Sequence, residues 1–354
     1  MVAETRYVKA FGLEMLTGHG LWLPFAAFLL LGGIIFAVAS RLARAADTIA
    51  DATGLGRAWI GAILLAGSTS LPEITTDVNA ALLGVPDIGV GDLMGSTLAN
   101  MLILALLDLV YARRHLLQSV AVNHAVVGLL AIALTLIAGI AMSTGGFGRI
   151  GPVGIDTILI VVVYVLGMRV FYRLTSVAAQ GLIPSAPAAA SPAVADDRTR
   201  LRRALWTFAA AAAVLIVVAP LLVISAEAVS AESGMSTTFV GTLLVGLTTS
   251  FPEIAATVAA VRLGAIDLAV GNIFGSNAFN MCVLFFMDLS YPEGPLLAAV
   301  SREHVMTAQL ATLCLSFGVL AIMGRLERRS AVARFESLLI VVCYAAGIWL
   351  LARG

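Results

Sequence analysis

Apolar residues dominate this chain in long runs, and short polar stretches separate the runs. A helix that crosses a bilayer needs about 20 apolar residues at about 1.5 Å rise each. Ten runs meet that length, at 21–46, 57–83, 87–111, 117–142, 152–174, 204–230, 236–262, 267–289, 302–323 and 333–352. The stretch before the first run, Met1 to His19, is mixed and polar and has no cleavable leader pattern. Between the fifth and sixth runs lies SVAAQGLIPSAPAAASPAVADDRTRLRR, whose Ala, Pro and Ser content predicts a flexible linker over 176–203.

Composition supports the same class. Apolar residues make up 60% of the 354, and charged residues only 12%, about half the roughly 25% usual in soluble domains. A soluble chain of this length could not cover that much apolar surface. The expectation is an all-α integral membrane protein. Net charge is zero and no basic cluster sits on a soluble domain, so nucleic acid is not an expected partner. Cys282, Cys314 and Cys343 lie inside apolar runs without paired spacing and read as small core residues. Of the 21 Lys and Arg, sixteen fall on one set of alternate loops, which the positive-inside rule places in the cytoplasm together with the linker. Both termini then face the opposite side.

The chain also repeats itself. Shifted by 180 residues, segment 60–101 aligns with 240–281 without a gap and matches at 18 of 42 positions. Matched pairs include Pro72/Pro252, Glu73/Glu253, Asp87/Asp267, Gly95/Gly275, Ser96/Ser276 and Asn100/Asn280. The same shift pairs Asp47 with Glu227, Asp108 with Asp288 and His124 with His304. Each copy holds five predicted spans. Five is odd, so the second copy enters from the opposite side and the halves are inverted. That architecture is common in secondary transporters, whose substrates bind near the midplane where helices break. The expected division is 1–175 (first five-helix repeat, motif 61–101), the linker 176–203, and 204–354 (second repeat, motif 241–281).

The stretches GSTSLPE (67–73) and LTTSFPE (247–253) put a proline and a glutamate inside apolar runs. Proline removes a backbone N–H and clashes with the preceding turn. Carbonyls near Thr69 and Thr249 then lose helical partners, which is costly in lipid unless something else binds them. A cation can. Glu73 and Glu253 add carboxylates beside those carbonyls, so the donor set is all oxygen and suits Ca²⁺ or Na⁺ better than Zn²⁺ or copper. GDLMGSTLAN (91–100) and GNIFGSNAFN (271–280) supply small residues for close helix approach, with Ser96/Asn100 and Ser276/Asn280 each sharing a helix face.

Found twice in phase, these motifs resemble the two repeats of the cation/calcium exchanger superfamily, in particular its prokaryotic Na⁺/Ca²⁺ exchanger-like branch. The resemblance covers both halves. It implies ten transmembrane helices in two inverted five-helix repeats, both termini outside, and antiport of Ca²⁺ against Na⁺ without ATP. It makes Glu73 and Glu253 shared Ca²⁺/Na⁺ ligands and the Thr69 and Thr249 carbonyls Ca²⁺ ligands. Ser70, Ser250, Ser96 and Ser276, with the carbonyls of Ala66 and Gly246, then surround flanking Na⁺ sites, and Asn100 and Asn280 face the centre. It implies no cofactor, no obligatory protein partner beyond the lipid bilayer, and the plasma (inner) membrane as location.

The sequence also departs from the family pattern. Thr97 stands where the first repeat usually has Asn. Asp77 and Asp92 have Thr257 and Asn272 as counterparts, so the first half carries two extra carboxylates. They are additional candidates for charge along the pathway or for carrying a proton. The competing reading makes them solvated or capping groups near helix ends. Asp47 and Glu227 read as entrance charges or solvated helix ends, Asp108 and Asp288 as interfacial, and His124 and His304 as structural. Two further functional readings stay open: an H⁺-coupled exchanger of the same fold, and a passive cation channel. An intramembrane enzyme would need a nucleophile–base set or a zinc motif, and none accompanies the glutamates.

Overall fold

The computed structural model describes residues 2–53, 70–111, 116–119, 123–182, 196–262, 264, 266–324 and 335–353. The architecture is helical, apart from one antiparallel hairpin pairing Arg149–Ile150 with Val153–Gly154. In chain order the helices are α1 (Val2–Leu16), α2 (Trp22–Thr53), α3 (Leu71–Leu82) and α4 (Pro86–Val110). Then come α5 (Asn123–Thr144), α6 (Ile155–Leu182), α7 (Asp196–Ser233) and α8 (Thr237–Thr249). The chain finishes with α9 (Phe251–Arg262), α10 (Ile266–Ser290), α11 (Glu303–Met323) and α12 (Phe335–Leu351).

Among the described residues, seven helices are long and apolar enough to cross a membrane, or eight if the bent pair α8–α9 counts as one. Exposed large apolar side chains such as Leu30, Val165, Ile216 and Val217 face outward. In a bilayer that surface is solvated by acyl chains. The expected second span is represented here by α3 alone, because 54–69 lies outside the described residues. Helices α6 and α7 run further into the expected linker than the hydropathy suggests, through Leu182 and from Asp196. Arg-, Ala- and Leu-rich segments are good helix formers whether or not lipid surrounds them.

Two regions of packing hold the site. In the first, α4, α5, α10 and α11 share one core that includes Leu93, Met101, Phe274 and Leu315. In the second, α2 and α7 pack side by side around Ile35, Leu42, Leu215 and Val223. Helix α4 joins the two by pressing its glycine face onto the first part of α8. There the backbone of Gly241–Val245 widens into a π-helical turn. A Cβ on Gly95 would lie 2.0 Å from the Thr242 carbonyl oxygen, and one on Gly241 would lie 2.5 Å from the Ile88 carbonyl oxygen. Only glycine lets these two backbones approach so closely.

Buried polar contacts bind the two halves in matching pairs. Asp288 accepts from Thr157 Oγ1 at 2.6 Å and Leu296 N at 2.7 Å. Asp108 accepts from Ser337 Oγ at 2.8 Å and Leu117 N at 3.2 Å. A shift of 180 residues carries Asp108 onto Asp288 and Thr157 onto Ser337. The two aspartates are therefore buried staples, not interfacial charges. Each sits at the end of its helix and satisfies backbone donors that would otherwise be stranded. His304 Nε2 lies 3.1 Å from Asp87, and its counterpart His124 Nε2 lies 3.4 Å from Asp267.

The polar N-terminal stretch forms α1, which the hydropathy pattern did not predict. Leu13 and Leu16 pack against the α2–α7 core. Lys9 Nζ pairs with Glu227 at 2.9 Å and donates to the Leu83 carbonyl at 3.1 Å. Glu227 is thus half-buried and paired rather than a solvated helix end. The Asp47 side chain lies outside the described ones.

The glycine contact yields a test. Gly95→Ala drives a methyl into the Thr242 backbone and should cost at least about 1–3 kcal/mol. Gly33→Ala, on the exposed face of α2 with open space around it, should be neutral or mildly stabilising. Thermal unfolding of both purified variants in detergent checks the pair of outcomes.

Candidate functional site

Proline sets the geometry. Pro72 and Pro252 sit in the first turns of α3 and α9, with Ser70 and Ser250 two residues before them; Ser70 caps the start of α3, and Ser250 separates α8 from α9. In the second half the break is a bend of 45° between α8 and α9. Pro252 has no N–H to give the Thr248 carbonyl four residues earlier. The C-terminal end of α8 therefore presents carbonyls, while Glu253 projects from the first turn of α9. Glu73 occupies the same place in α3. An acidic residue in a helix's first turn is favoured by the free N–H groups there, so the break itself helps seat each glutamate.

Every described residue of the expected site is buried: Ser70, Glu73, Asp77, Asp92, Ser96, Asn100, Thr249, Ser250, Glu253, Ser276 and Asn280 all have no solvent exposure, and Gly246 is buried. Thr69 and Ala66 fall outside the described residues. Glu253 and Asp92 both lie within electrostatic reach of Glu73. The fold thus gathers carboxylates from α3, α9 and α4 in one buried region.

Helix α4 supplies the most connected part. Thr249 Oγ1 donates to Asp92 Oδ1 at 2.6 Å. Ser96 Oγ lies 3.2 Å from Asp92 Oδ1, 3.2 Å from the Gly246 carbonyl and 3.4 Å from Thr249 Oγ1. The Gly95–Thr242 approach is what brings Ser96 to Gly246. Asn100 Nδ2 donates to Asn277 Oδ1 at 2.9 Å, joining α4 to α10 at the level of the serines. Sequence reasoning did not name Asn277. A signal existed, because Asn277 is the counterpart of Thr97, the position where the first half departs from the family pattern.

Asp77 and Asp92 are neither solvated nor at exposed helix ends. Asp77 comes within hydrogen-bonding reach of Asp92. The two carboxyl groups can hydrogen-bond to each other only by sharing a proton, and no other described donor reaches either Asp77 oxygen or Asp92 Oδ2. In the second half the corresponding contact is neutral: Asn272 Nδ2 donates to Thr257 Oγ1 at 3.2 Å. The same helix crossing is built with an acid pair in one half and an amide–hydroxyl pair in the other.

Several other polar atoms here have no hydrogen-bond partner among the described residues. They include both Glu73 oxygens, Ser70 Oγ, Ser250 Oγ, Ser276 Oγ and both side-chain heteroatoms of Asn280. Buried polar groups are normally satisfied, and an oxygen-rich assembly of this kind is suited to a hard cation. No three His, Cys, Asp or Glu side chains among the described residues form a compact metal-holding cluster. The donors are instead mostly hydroxyls, amides and carbonyls around a few carboxylates.

A helical membrane protein with a Pro-broken span, inward glutamates and this polar lining belongs to the class of membrane transporters of small cations. The sequence pattern of the sodium/calcium exchanger protein family matches residues 23–182 and 203–353, and the chain belongs to that family. It is a membrane antiporter of the cation/calcium exchanger superfamily. A protein of Alkalimonas amylolytica named as a candidate antiporter, CaxA, is 26% identical over 332 residues, covering 92% of this chain and 98% of that one. The sodium–calcium exchanger NCX_Mj shares the fold with a TM-score of 0.57 at 19% identity, over 93% of this chain and 99% of the other. The H⁺/Ca²⁺ exchanger CAX does so with a TM-score of 0.58 at 13% identity, over 99% and 93%.

The Asp92 contacts give a second test. Asp92→Ala removes the nearest acceptor of the Thr249 hydroxyl, leaving it the Val245 carbonyl at 3.1 Å, and opens a void in a buried region, so it should destabilise the protein by about 1–3 kcal/mol. Asp92→Asn keeps an acceptor oxygen, copies Asn272 and removes one of two facing charges, so it should match or exceed wild-type stability. Thermal unfolding in detergent distinguishes the two.

Proposed function

We propose that this protein exchanges Ca²⁺ for Na⁺ by alternating access, with the ions bound between Glu73 and Glu253. The observation that carries the reading is the burial of these two glutamates, each in the first turn after a proline break, close enough to repel each other. Two such carboxylates are held dry at a cost of several kcal/mol per ion unless positive charge accompanies them. One Ca²⁺ or several Na⁺ can each supply it. If only the loaded protein reorients, the two ions exchange. Around the glutamates, the Thr69 and Thr249 carbonyls complete the Ca²⁺ ligands. Ser70, Ser96, Ser250 and Ser276, with the Ala66 and Gly246 carbonyls, serve flanking Na⁺ positions, and Asn100 and Asn280 face the centre.

The same reading divides the chain into inverted five-helix repeats, 1–175 and 204–354, joined by a cytoplasmic linker at 176–203, ten transmembrane helices in all. The 180-residue shift that relates Asp108–Ser337 to Asp288–Thr157 supports that division. The protein then resides in the plasma (inner) membrane with both termini outside. Helices α2 and α7 form a unit that slides against the remaining body. A second reading, H⁺-coupled Ca²⁺ exchange at the same glutamates, is favoured by one observation: the facing carboxylates of Asp77 and Asp92.

Reconstitution tests both readings. Proteoliposomes carrying an outward Na⁺ gradient should accumulate ⁴⁵Ca²⁺, and Glu73→Gln should abolish that uptake while the protein remains folded by gel filtration. Uptake driven by a pH gradient alone would transfer the assignment to the proton-coupled reading. Ca²⁺ equilibration indifferent to both gradients would indicate a channel.

A further inference from the structure

A second polar feature lies away from the glutamates, at the end of the α2–α7 pair. There a cavity of about 460 Å³ is lined by Arg41, Arg44 and Thr48 from α2 and by Arg200, Arg203 and Thr207 from α7. Ala45 and Ala204 are buried beneath it and leave the space open. Arg41 and Arg44 are three residues apart on one helix, as are Arg200 and Arg203 on the other. Each pair shares a helix face, and the two faces meet at the cavity.

Four arginines line one cavity and repel one another, with the Arg41 guanidinium turned back to the Ala37 carbonyl of its own helix at 3.5 Å. Among the described residues no carboxylate pairs with any of them; the described ion pairs involve Lys9, His124 and His304. The positive-inside rule accounts for arginines on this side of the membrane. It does not account for their convergence from two helices onto one cavity. The repeat does not supply them either, since the 180-residue shift puts Leu221, Ile224, Gly20 and Leu23 at the corresponding positions.

The depth of the cavity shows what kind of anion can reach it. Trp206, adjacent to Thr207, is 72% exposed, and indole rings on the outside of membrane proteins favour the headgroup level. Leu205 beside it is half exposed and faces the same surroundings. The cavity therefore lies at the depth of the lipid phosphates, and the exposed Leu205 and Trp206, outside its lining, give the same helix apolar surface for neighbouring acyl chains. Guanidinium groups bind phosphate oxygens two at a time, and the threonine hydroxyls can add single hydrogen bonds. Basic pockets between membrane helices bind anionic headgroups on this principle.

We propose that this cavity is a binding site for the phosphate headgroup of an anionic phospholipid, which bridges α2 and α7 and fastens their ends together. The site is separate from the ion-binding residues, and its occupancy does not depend on which cation is exchanged.

The test is binding of dioleoylphosphatidylglycerol to the full-length protein, delipidated in a neutral detergent, followed by native mass spectrometry and by the shift in thermal unfolding. Dioleoylphosphatidylcholine and inorganic phosphate serve as comparison ligands. Wild type should retain phosphatidylglycerol saturably and gain thermal stability from it, with little response to phosphatidylcholine or phosphate. The double variant Arg44→Gln/Arg203→Gln should bind about thirtyfold more weakly, as the loss of two surface charges implies. Arg198→Gln/Arg202→Gln removes the same charge from exposed positions on α7 that do not line the cavity, and should bind like wild type. Equal losses in both variants would overturn the proposal in favour of a diffuse surface potential. A phosphate response as large as the lipid response would overturn it in favour of a soluble anion. If the glutamine pair does not fold, Arg44→Ala alone and Arg203→Ala alone replace it, with weakened lipid binding expected in each and unchanged binding overturning the proposal.

Discussion

A carboxylate removed from water needs positive charge beside it, and this protein buries four in one region: Glu73, Glu253, Asp77 and Asp92. Much of the architecture around them can be understood as accommodating that burden. The break before Pro252 brings the carbonyl-rich end of α8 to the site, and each glutamate sits in a helix's first turn, where free N–H groups favour an acid. Thr249 and Ser96 give Asp92 donors. Under the proposed function the remaining charge deficit becomes the functional feature, because the ion that neutralises the site is then also the cargo.

Holding such a region closed requires the helices around it to be fixed closely. That work falls to contacts well away from the glutamates. The Gly91–Gly95 face of α4 lies against the backbone of α8, and this is what carries Ser96 to the Gly246 carbonyl. Asp108 and Asp288 each reach into the other half, to Ser337 and Thr157. The two His–Asp pairs do the same, but unequally: Asp87 is 27% exposed beside His304, whereas Asp267 is 65% exposed beside His124. The two matched contacts are therefore not equally buried.

Features set by local chemistry or by duplication were legible in the sequence. The bend at Pro252 and the helix that starts at Leu71–Pro72 follow from the two prolines, and the 180-residue register singled out the polar pairs before any contact was known. Features that depend on which helices touch were not. Asp108 and Asp288 looked interfacial because they end apolar runs, and their partners lie 229 and 131 residues away. The sequence left Asp77 and Asp92 between pathway carboxylates and helix-end groups, because each lies near the turn at 83–87; folding that turn brings their helices together and buries both. The departure of both from Thr257 and Asn272 was the available clue, since a contact substituted at both of its positions suggests that the two are adjacent. Helix α1 escaped notice because its 15 residues are interrupted by charges and too short to span a bilayer, and because its stability comes from packing on α7 and from the Lys9–Glu227 pair.

The central claim is that Glu73 and Glu253 jointly bind the transported cation, and the most direct measurement is equilibrium binding of ⁴⁵Ca²⁺ to the purified protein in detergent, with Na⁺ titrated as competitor. The account predicts saturable binding displaced by Na⁺, with Glu73→Gln and Glu253→Gln each losing it while keeping wild-type gel-filtration behaviour. Undiminished Ca²⁺ binding in both single variants would contradict it and move the binding site away from the paired glutamates.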